Sequence, residues 1–215
     1  MQTGKPMTHK TYQTEQEDFW AGSFGTEYIE RNRTPQLLAS NLHLFSKIIG
    51  STKGVNSFLE IGANIGLNID AINLLCPGKR TSALELNENA FRTLQNKCTG
   101  TAHHGSILDL NAAELPKFDF VFTKGVLIHI HPDKLPLVYE KLFTLSSQYI
   151  CIIEYYNPTP VSVDYRGFRN KLFKRDFAGE MLTAYPSATL VDYGFQYHRD
   201  PAFPQDDLSW FLLEK

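Results

Sequence analysis

Two periodicities alternate along the chain. Apolar residues recur at helical spacing in Q-L-L-A-S-N-L-H-L-F-S-K-I-I. Thr34-Pro35 just before it supplies an N-cap and a proline at the first helical position, and Gly50 can end the helix. Beyond that point short apolar runs take turns with amphipathic ones. Phe58–Ile61 reads as a strand, Ile65–Leu75 as a helix stopped by Cys76-Pro77-Gly78, Thr81–Leu86 as a strand and Glu88–Lys97 as a helix. A short strand at Thr101–His104, a strong one at Phe118–Phe122, a proline-opened helix at Pro132–Leu145 and a buried strand at Gln148–Tyr155 continue the series. Arg175–Tyr185 reads as a helix, and Thr189–Tyr197 and Leu208–Leu213 as two closing strands. Strands alternating with helices predict a parallel sheet covered on both faces. No helical pattern separates the last two strands, so they are expected to pair antiparallel. The expected fold is α/β: a doubly wound, mostly parallel seven-stranded sheet with an antiparallel last strand.

Composition adds bounds. A chain of 215 residues suits one domain with a sizeable core. We expect a single unit over 1–215: an N-terminal cap and helices over 1–50, and a core over 51–215 with an insert near 157–175. Residues 1 to 14 are polar, and an aromatic-rich, glycine-punctuated stretch follows. A net charge of −2 does not suit a general nucleic-acid binder. Cys76, Cys98 and Cys151 follow no metal or redox spacing and read as reduced residues of a cytoplasmic protein. The opening M-Q-T-G-K-P-M-T-H-K shows no signal peptide, and no apolar run approaches the ~20 residues that span a bilayer.

The stretch S-F-L-E-I-G-A-N-I-G-L-N over 57–68 carries the candidate chemistry. In a doubly wound sheet, ligands bind outside the carboxyl ends of the strands, where the order reverses. Against the dinucleotide pattern G-x-G-x-x-G, two of three glycines are missing. As acid-x-G-x-G-x-G it gives Glu60, Gly62, Asn64 and Gly66, with asparagine at the one replaced position. Asparagine is among the few residues that tolerate positive φ. A turn that merely needs glycine is the plain alternative. Three further segments weigh against that. The second strand ends in Glu85, a carboxylate suited to two ribose hydroxyls, followed by Leu86. H-H-G-S-I-L-D-L contains Gly105-Ser106-Ile107, with Asp109 nearby. F-D-F-V-F-T-K-G-V-L-I-H-I runs through Lys124 to His129.

In this order and at these spacings, the four segments resemble those of the class I S-adenosylmethionine-dependent methyltransferases. The resemblance implies that cofactor, with S-adenosylhomocysteine as product. Glu60, Gly62, Asn64, Gly66, Glu85, Leu86, Ser106, Ile107 and Lys124 are then expected at the cofactor. Ser106 stands where the family usually has an acid, which leaves the partner of the adenine amino group open. Methyl transfer needs alignment of acceptor, methyl and leaving sulfur, and an oxygen or ammonium-type acceptor also needs a base. His129 is a candidate base, or packs over the cofactor. Glu154 ends a buried strand and needs a partner, so it and Tyr156 are candidates to meet the acceptor. His129, His131, His103 and His104 make no recognisable metal set, and none is expected. Asn157-Pro158-Thr159-Pro160 lacks the aromatic and the position of a DNA-adenine methyltransferase motif and reads as a turn over the pocket.

Y-R-G-F-R-N-K-L-F-K-R over 165–175 holds five cations and no acid. It is either a solvated basic face or a clamp for an anionic acceptor, with Tyr165, Arg166, Arg169, Lys174 and Arg175 as the contacts. More specific stretches are F-W-A-G-S-F-G-T-E-Y-I-E-R-N, E-Y-Y-N-P-T-P-V-S-V-D-Y-R-G, L-F-K-R-D-F-A-G-E-M and the run from Val191 to Lys215. Over nearly the whole chain these resemble the pseudaminic acid biosynthesis-associated methylases. That resemblance implies a small anionic sugar or its nucleotide-linked form as acceptor, methylated at oxygen or nitrogen. It also implies that Trp20, Phe24, Tyr28 and Arg31 cap the cofactor, with core packing the alternative for the aromatics. Two rivals remain: an RNA or protein methyltransferase, and a cofactor-binding regulator without catalysis.

Overall fold

The computed structural model describes residues 12–31 and 34–215, Arg31 by its backbone alone. Three helices lead in: α1 (Glu15–Ala21), α2 (Ser23–Arg31) and α3 (Pro35–Gly50). α1 opens with a capping box, in which the Thr14 hydroxyl accepts from the Glu17 amide and the Glu17 carboxylate accepts from the Thr14 amide. α3 starts where its sequence says: Thr34 accepts from the Leu37 amide at 3.3 Å and Pro35 takes the first turn.

The core then alternates strand and helix. Its elements are β1 (Ser57–Ile61), α4 (Leu67–Leu75), β2 (Arg80–Glu85), α5 (Glu88–Leu94), β3 (Ala102–His104), β4 (Phe118–Lys124), α6 (Leu135–Leu145) and β5 (Ser146–Glu154). After a hairpin of β6 (Val161–Tyr165) and β7 (Phe168–Lys174) come α7 (Phe177–Ala184), β8 (Thr189–Gln196) and β9 (Leu208–Glu214). The seven-stranded sheet has the order β3-β2-β1-β4-β5-β9-β8. β9 runs antiparallel to both β5 and β8; the other paired strands are parallel. The direction of winding reverses between β1 and β4, the place where such sheets bind ligands.

Side chains of the central strands alternate between two cores. Leu59, Ile61, Val121, Ile150 and Ile152 pack under α6 and α7 with Val138, Leu142 and Met181. Phe58, Phe120, Phe122, Cys151 and Ile153 pack against α3 and α4 through Leu44, Phe45, Ile48 and Ile72. The helix expected from Arg175 begins at Phe177, because Asp176 turns back to cap the Gly179 amide at 2.8 Å.

The basic segment forms the turn and second strand of a hairpin. Its two-residue turn is Arg166-Gly167, both at positive φ (53° and 86°), the backbone of a type I′ turn. Gln16 Nε2 donates to the Asn170 carbonyl at 2.9 Å, and Lys171 Nζ lies 3.1 Å from the Glu15 carboxylate, so the hairpin is tied to α1. Among the described residues no helix is long and apolar enough to cross a membrane.

Candidate active site

The turn after β1 is built by positive-φ residues: Gly62 (74°), Asn64 (50°) and Gly66 (79°). The Gly62 and Ala63 amides donate to the Leu84 carbonyl at 2.8 and 3.1 Å, which folds the turn over the end of β2. A Cβ on Gly62 would stand 2.5 Å from Val126 Cγ2, so the turns after β1 and β4 touch only because residue 62 lacks a side chain. Asn64 fills the left-handed position that the sequence assigns it.

Glu85 locks this turn. Its carboxylate accepts the Asn64 amide at 2.7 Å on one oxygen and the Asn87 amide at 2.6 Å on the other. Each oxygen keeps acceptor capacity toward the cleft that Glu85 lines. Burial raises its pKa, and the amides of Asn87, Asn64 and Leu86 oppose that rise. Glu60 sits elsewhere than expected. It is fully buried beneath the turn, outside the cleft lining, with one oxygen 2.6 Å from Asn68 Nδ2 and the other without a partner among the described residues. Burial pushes its pKa up to about 8, against the pull of Asn68 and Lys124. It therefore positions Asn68, which does line the cleft, rather than presenting a negative charge there.

The cleft encloses about 330 Å³, the size of a small-molecule site. Leu86, Ser106 and Ile107 line one end beside Glu85, and the Ser106 hydroxyl is engaged by the Leu108 amide at 3.0 Å. Asp109 lies outside it and accepts from Gln13. Trp20 and Tyr28 come down from α1 and α2, with their rings 5.3 Å apart. The Trp20 indole N–H is buried without a partner among the described residues. The side chain of Arg31 lies outside the described residues.

At the other end, the turn after β4 brings His129 to the cleft. Its Nδ1 lies 2.6 Å from the Lys171 carbonyl. A carbonyl only accepts, so Nδ1 carries the proton and Nε2 keeps a lone pair. Burial lowers the pKa to about 4, opposed by the Lys171 bond. Trp20 (4.5 Å) and Tyr165 (5.1 Å) flank the ring. His129 is thus a neutral imidazole whose Nε2 keeps its lone pair, held among aromatic rings.

Glu154 does not reach the cleft lining. Its carboxylate accepts Thr123 Oγ1 (3.1 Å) and the amides of Val126 (3.0 Å), Leu127 (3.0 Å) and Ile128 (3.4 Å). Burial raises it to about 7, against those four bonds. The partner a buried acid requires is the 126–128 loop, so Glu154 holds the residue before His129 and not an acceptor. Tyr156 is displaced for a simpler reason. Neighbouring side chains leave an extended chain on opposite sides, so Tyr155 turns into the cleft and Tyr156 out to Phe211, 5.8 Å away.

Of the basic segment, only Tyr165 and Arg166 line the cleft, with the guanidinium 5.7 Å above the Tyr165 ring. Arg169 is exposed, Lys174 lies over the Tyr155 ring at 5.0 Å, and Arg175 pairs with Glu180. The hairpin geometry carries these three away from its tip, so the five-residue clamp reduces to its turn. Lys124, at the end of β4, adds a second cation to the lining. Burial lowers its pKa, while Glu60, Asp206 and Glu154 hold it up.

The sequence reading passed over Asn41, Asn87, Tyr155 and Asp206. The Asn87 side-chain amide stands 3.2 to 3.4 Å from the carbonyls of Trp20, Ala21 and Gly22, which latches α1 to the β2 loop. Asp206 accepts the Tyr155 phenol, and the adjacent Gln205 donates to Asn41 at 2.9 Å. A signal for Asp206 was present: an antiparallel last strand starts at the carboxyl edge of its parallel neighbours, so residues just before Leu208 must border the cleft.

No protein-family model matches the sequence, and no curated protein does. Solved structures share the fold. A SAM-dependent methyltransferase of Leishmania major superposes with a TM-score of 0.71 at 15% identity, covering 93% of this chain and 81% of its own. The 1,6-didemethyltoxoflavin-N1-methyltransferase of Burkholderia thailandensis, with its substrate and S-adenosylhomocysteine bound, gives 0.68 at 17% identity over 93% and 86%. The magnesium protoporphyrin IX methyltransferase of Synechocystis PCC 6803, with SAM bound, gives 0.67 at 11% identity over 96% and 100%. The sheet described above is therefore the Rossmann-like methyltransferase fold.

Proposed function

We propose that the protein is an S-adenosylmethionine-dependent methyltransferase of a small acceptor, with His129 as general base. One observation carries the reading: a neutral, tautomer-fixed imidazole opens into the same cleft as the Gly62–Gly66 turn and Glu85. The residues fit the cofactor. The side-chain-free approach at Gly62, the acceptor capacity left on Glu85 and the unpartnered indole N–H of Trp20 are the features a nucleoside with a cationic tail would use.

Bound there, the cofactor supplies a methyl group on a sulfonium, ready for in-line displacement. Gly62, Asn64 and Gly66 let backbone come close to it. Glu85 offers its free lone pairs to a hydroxyl pair, and Leu86, Ser106 and Ile107 wall that end. His129 Nε2 takes the proton of an acceptor hydroxyl as the new bond forms, or that of an ammonium-type nitrogen beforehand to free its lone pair. Glu154 holds the loop that carries His129, and the Lys171 carbonyl holds its ring.

Lys124 and Arg166 favour an acceptor with negative charge, and the Trp20 and Tyr165 rings suit the carbon face of a sugar. An acidic sugar of the pseudaminic type, free or nucleotide-linked, agrees with both and with the motif resemblance. Calorimetry with S-adenosylhomocysteine tests the cofactor assignment: wild type binds, and Glu85→Ala binds at least about tenfold more weakly. Wild-type protein that is folded and shows no heat of binding refutes it. Labelled cofactor incubated with cell extract, read by mass spectrometry, then identifies the acceptor.

A further inference from the structure

β8 is the end strand of the sheet, on the side away from the cleft's β1–β4 centre. Among the described residues, its outer edge has no backbone partner beyond its pairing with β9. Edge strands are normally guarded by charged side chains, proline, a bulge, brevity or cover. T-L-V-D-Y-G-F-Q over 189–196 has no lysine, arginine or proline. Its single charge, Asp192, is turned to the opposite face, where Ser51 Oγ donates to it at 2.6 Å. One bulge between Leu190 and Asp192 interrupts the register; from Asp192 to Gln196 the pairing with β9 is regular.

The strand's face is bare as well. Tyr193, Phe195 and Tyr197 stand on one side at alternate positions, exposed by 67%, 55% and 46%. Tyr193 stacks on Phe211 of β9, and Tyr156 flanks Phe211 in turn, so the aromatic stripe continues across two strands. Of the ten large apolar side chains exposed among the described residues, five lie between Leu190 and Tyr197. That is a patch, not scatter. The covering helix α7 lies against β5.

We propose that two copies of the chain associate through β8, edge to edge and antiparallel about a two-fold axis, with the aromatic stripes in contact. The occupant follows from the geometry. Identical strands paired antiparallel form an isologous interface, so each free edge satisfies the other and each stripe meets its own copy. Both Asp192 oxygens are engaged within the chain, one by Ser51 Oγ at 2.6 Å and the other by the Tyr193 amide at 2.8 Å. Size is sufficient: at roughly 150–250 Å² per aromatic side chain, the exposed parts of Tyr193, Phe195 and Tyr197 offer about 300 Å² per copy. With Val191 and the strand backbone, the paired edges approach the roughly 1,000 Å² at which specific interfaces begin. This dimer is independent of the methyl-transfer reading.

Sedimentation equilibrium of the whole protein over a range of concentrations tests it. Wild type should show twice the 24.5 kDa chain mass. The double variant Tyr193→Lys/Phe195→Lys should stay folded by circular dichroism and dimerise at least about a hundredfold more weakly. Leu74→Lys, an equally exposed apolar position on α4, should leave the dimer intact. Hydrogen exchange on wild type gives a readout without mutation: the β8 amides not bonded to β9 should lose protection on dilution. A chain-mass species throughout, a dimer untouched by the lysine pair, or β8 amides whose exchange ignores concentration would each overturn the proposal.

Discussion

Acid should unfold this protein partly through one histidine. An unfolded His129 takes up its proton below about pH 6.5, whereas the buried ring resists until about pH 4. A depressed histidine pKa stabilises the fold above the unfolded value, and that contribution is lost as pH falls through the window. At about 1.4 kcal/mol per pH unit, the full gap amounts to about 3.4 kcal/mol, of which about 2 kcal/mol is gone by pH 5. Glu60 and Glu154 act in the opposite direction. Their raised values, about 8 and about 7, favour the fold at low pH and withdraw that support as pH rises through them. Total stability therefore mixes opposing slopes, and a difference measurement is needed. His129→Asn suits it, because the asparagine amide can keep donating to the Lys171 carbonyl while Nε2 disappears. Urea unfolding of both proteins from pH 7.5 to 4.5 should show the stability gap shrinking by about 2 kcal/mol between pH 7.5 and 5. Two curves that fall in parallel would refute the buried, neutral imidazole. With an acceptor in hand, His129→Asn should lose about 10²- to 10⁴-fold in kcat/KM, and the wild-type profile should lack an inflection near pH 6.5.

Three further outcomes follow from the same geometry. Gly62→Ala places a Cβ 2.5 Å from Val126 Cγ2, so it should weaken S-adenosylhomocysteine binding by calorimetry, and Val126→Ala in the same chain should restore part of the loss. Glu154→Ala removes the acceptor of three loop amides and Thr123; unfolding should show a loss of about 1–3 kcal/mol, and kcat should fall more than cofactor affinity. Arg166→Ala removes a tip guanidinium that makes no contact with the Gly62–Gly66 turn, so cofactor affinity should stay while acceptor KM rises.

The elements carried by strong periodicity were legible. Thr34-Pro35 starts α3, each parallel strand lies within a few residues of its apolar run, and the lack of a helix between β8 and β9 gave their antiparallel pairing. Asn64 and Gly66 fell in left-handed positions because few other residues tolerate them. What stayed hidden depended on tertiary placement. V-S-V-D-Y and F-R-N-K-L-F-K alternate as strands do, but five cations drew attention to charge, and Arg at the first position of a type I′ turn is no standard hairpin signal. Glu154 and Tyr156 were placed at the right strand end and on the wrong side of it, since one residue along an extended chain reverses the facing. Asp206 lies in the Val191–Lys215 run, whose resemblance assigns it no role, and only the direction of β9 brings it to the cleft.

The position of β9 also has a kinetic meaning. It is the last strand along the chain, yet it lies between β5 and β8. During synthesis, β8 emerges with no neighbour to pair with until residues 208–214 follow. The cleft likewise draws lining from Thr14 near one end of the sequence and from Asp206 and Leu208 near the other. Such long-range closure slows folding. A nascent chain stopped after Gln196 would hold the turn, Glu85 and His129, and still leave β5 and β8 without the strand that joins them, so residues 208–214 complete the sheet.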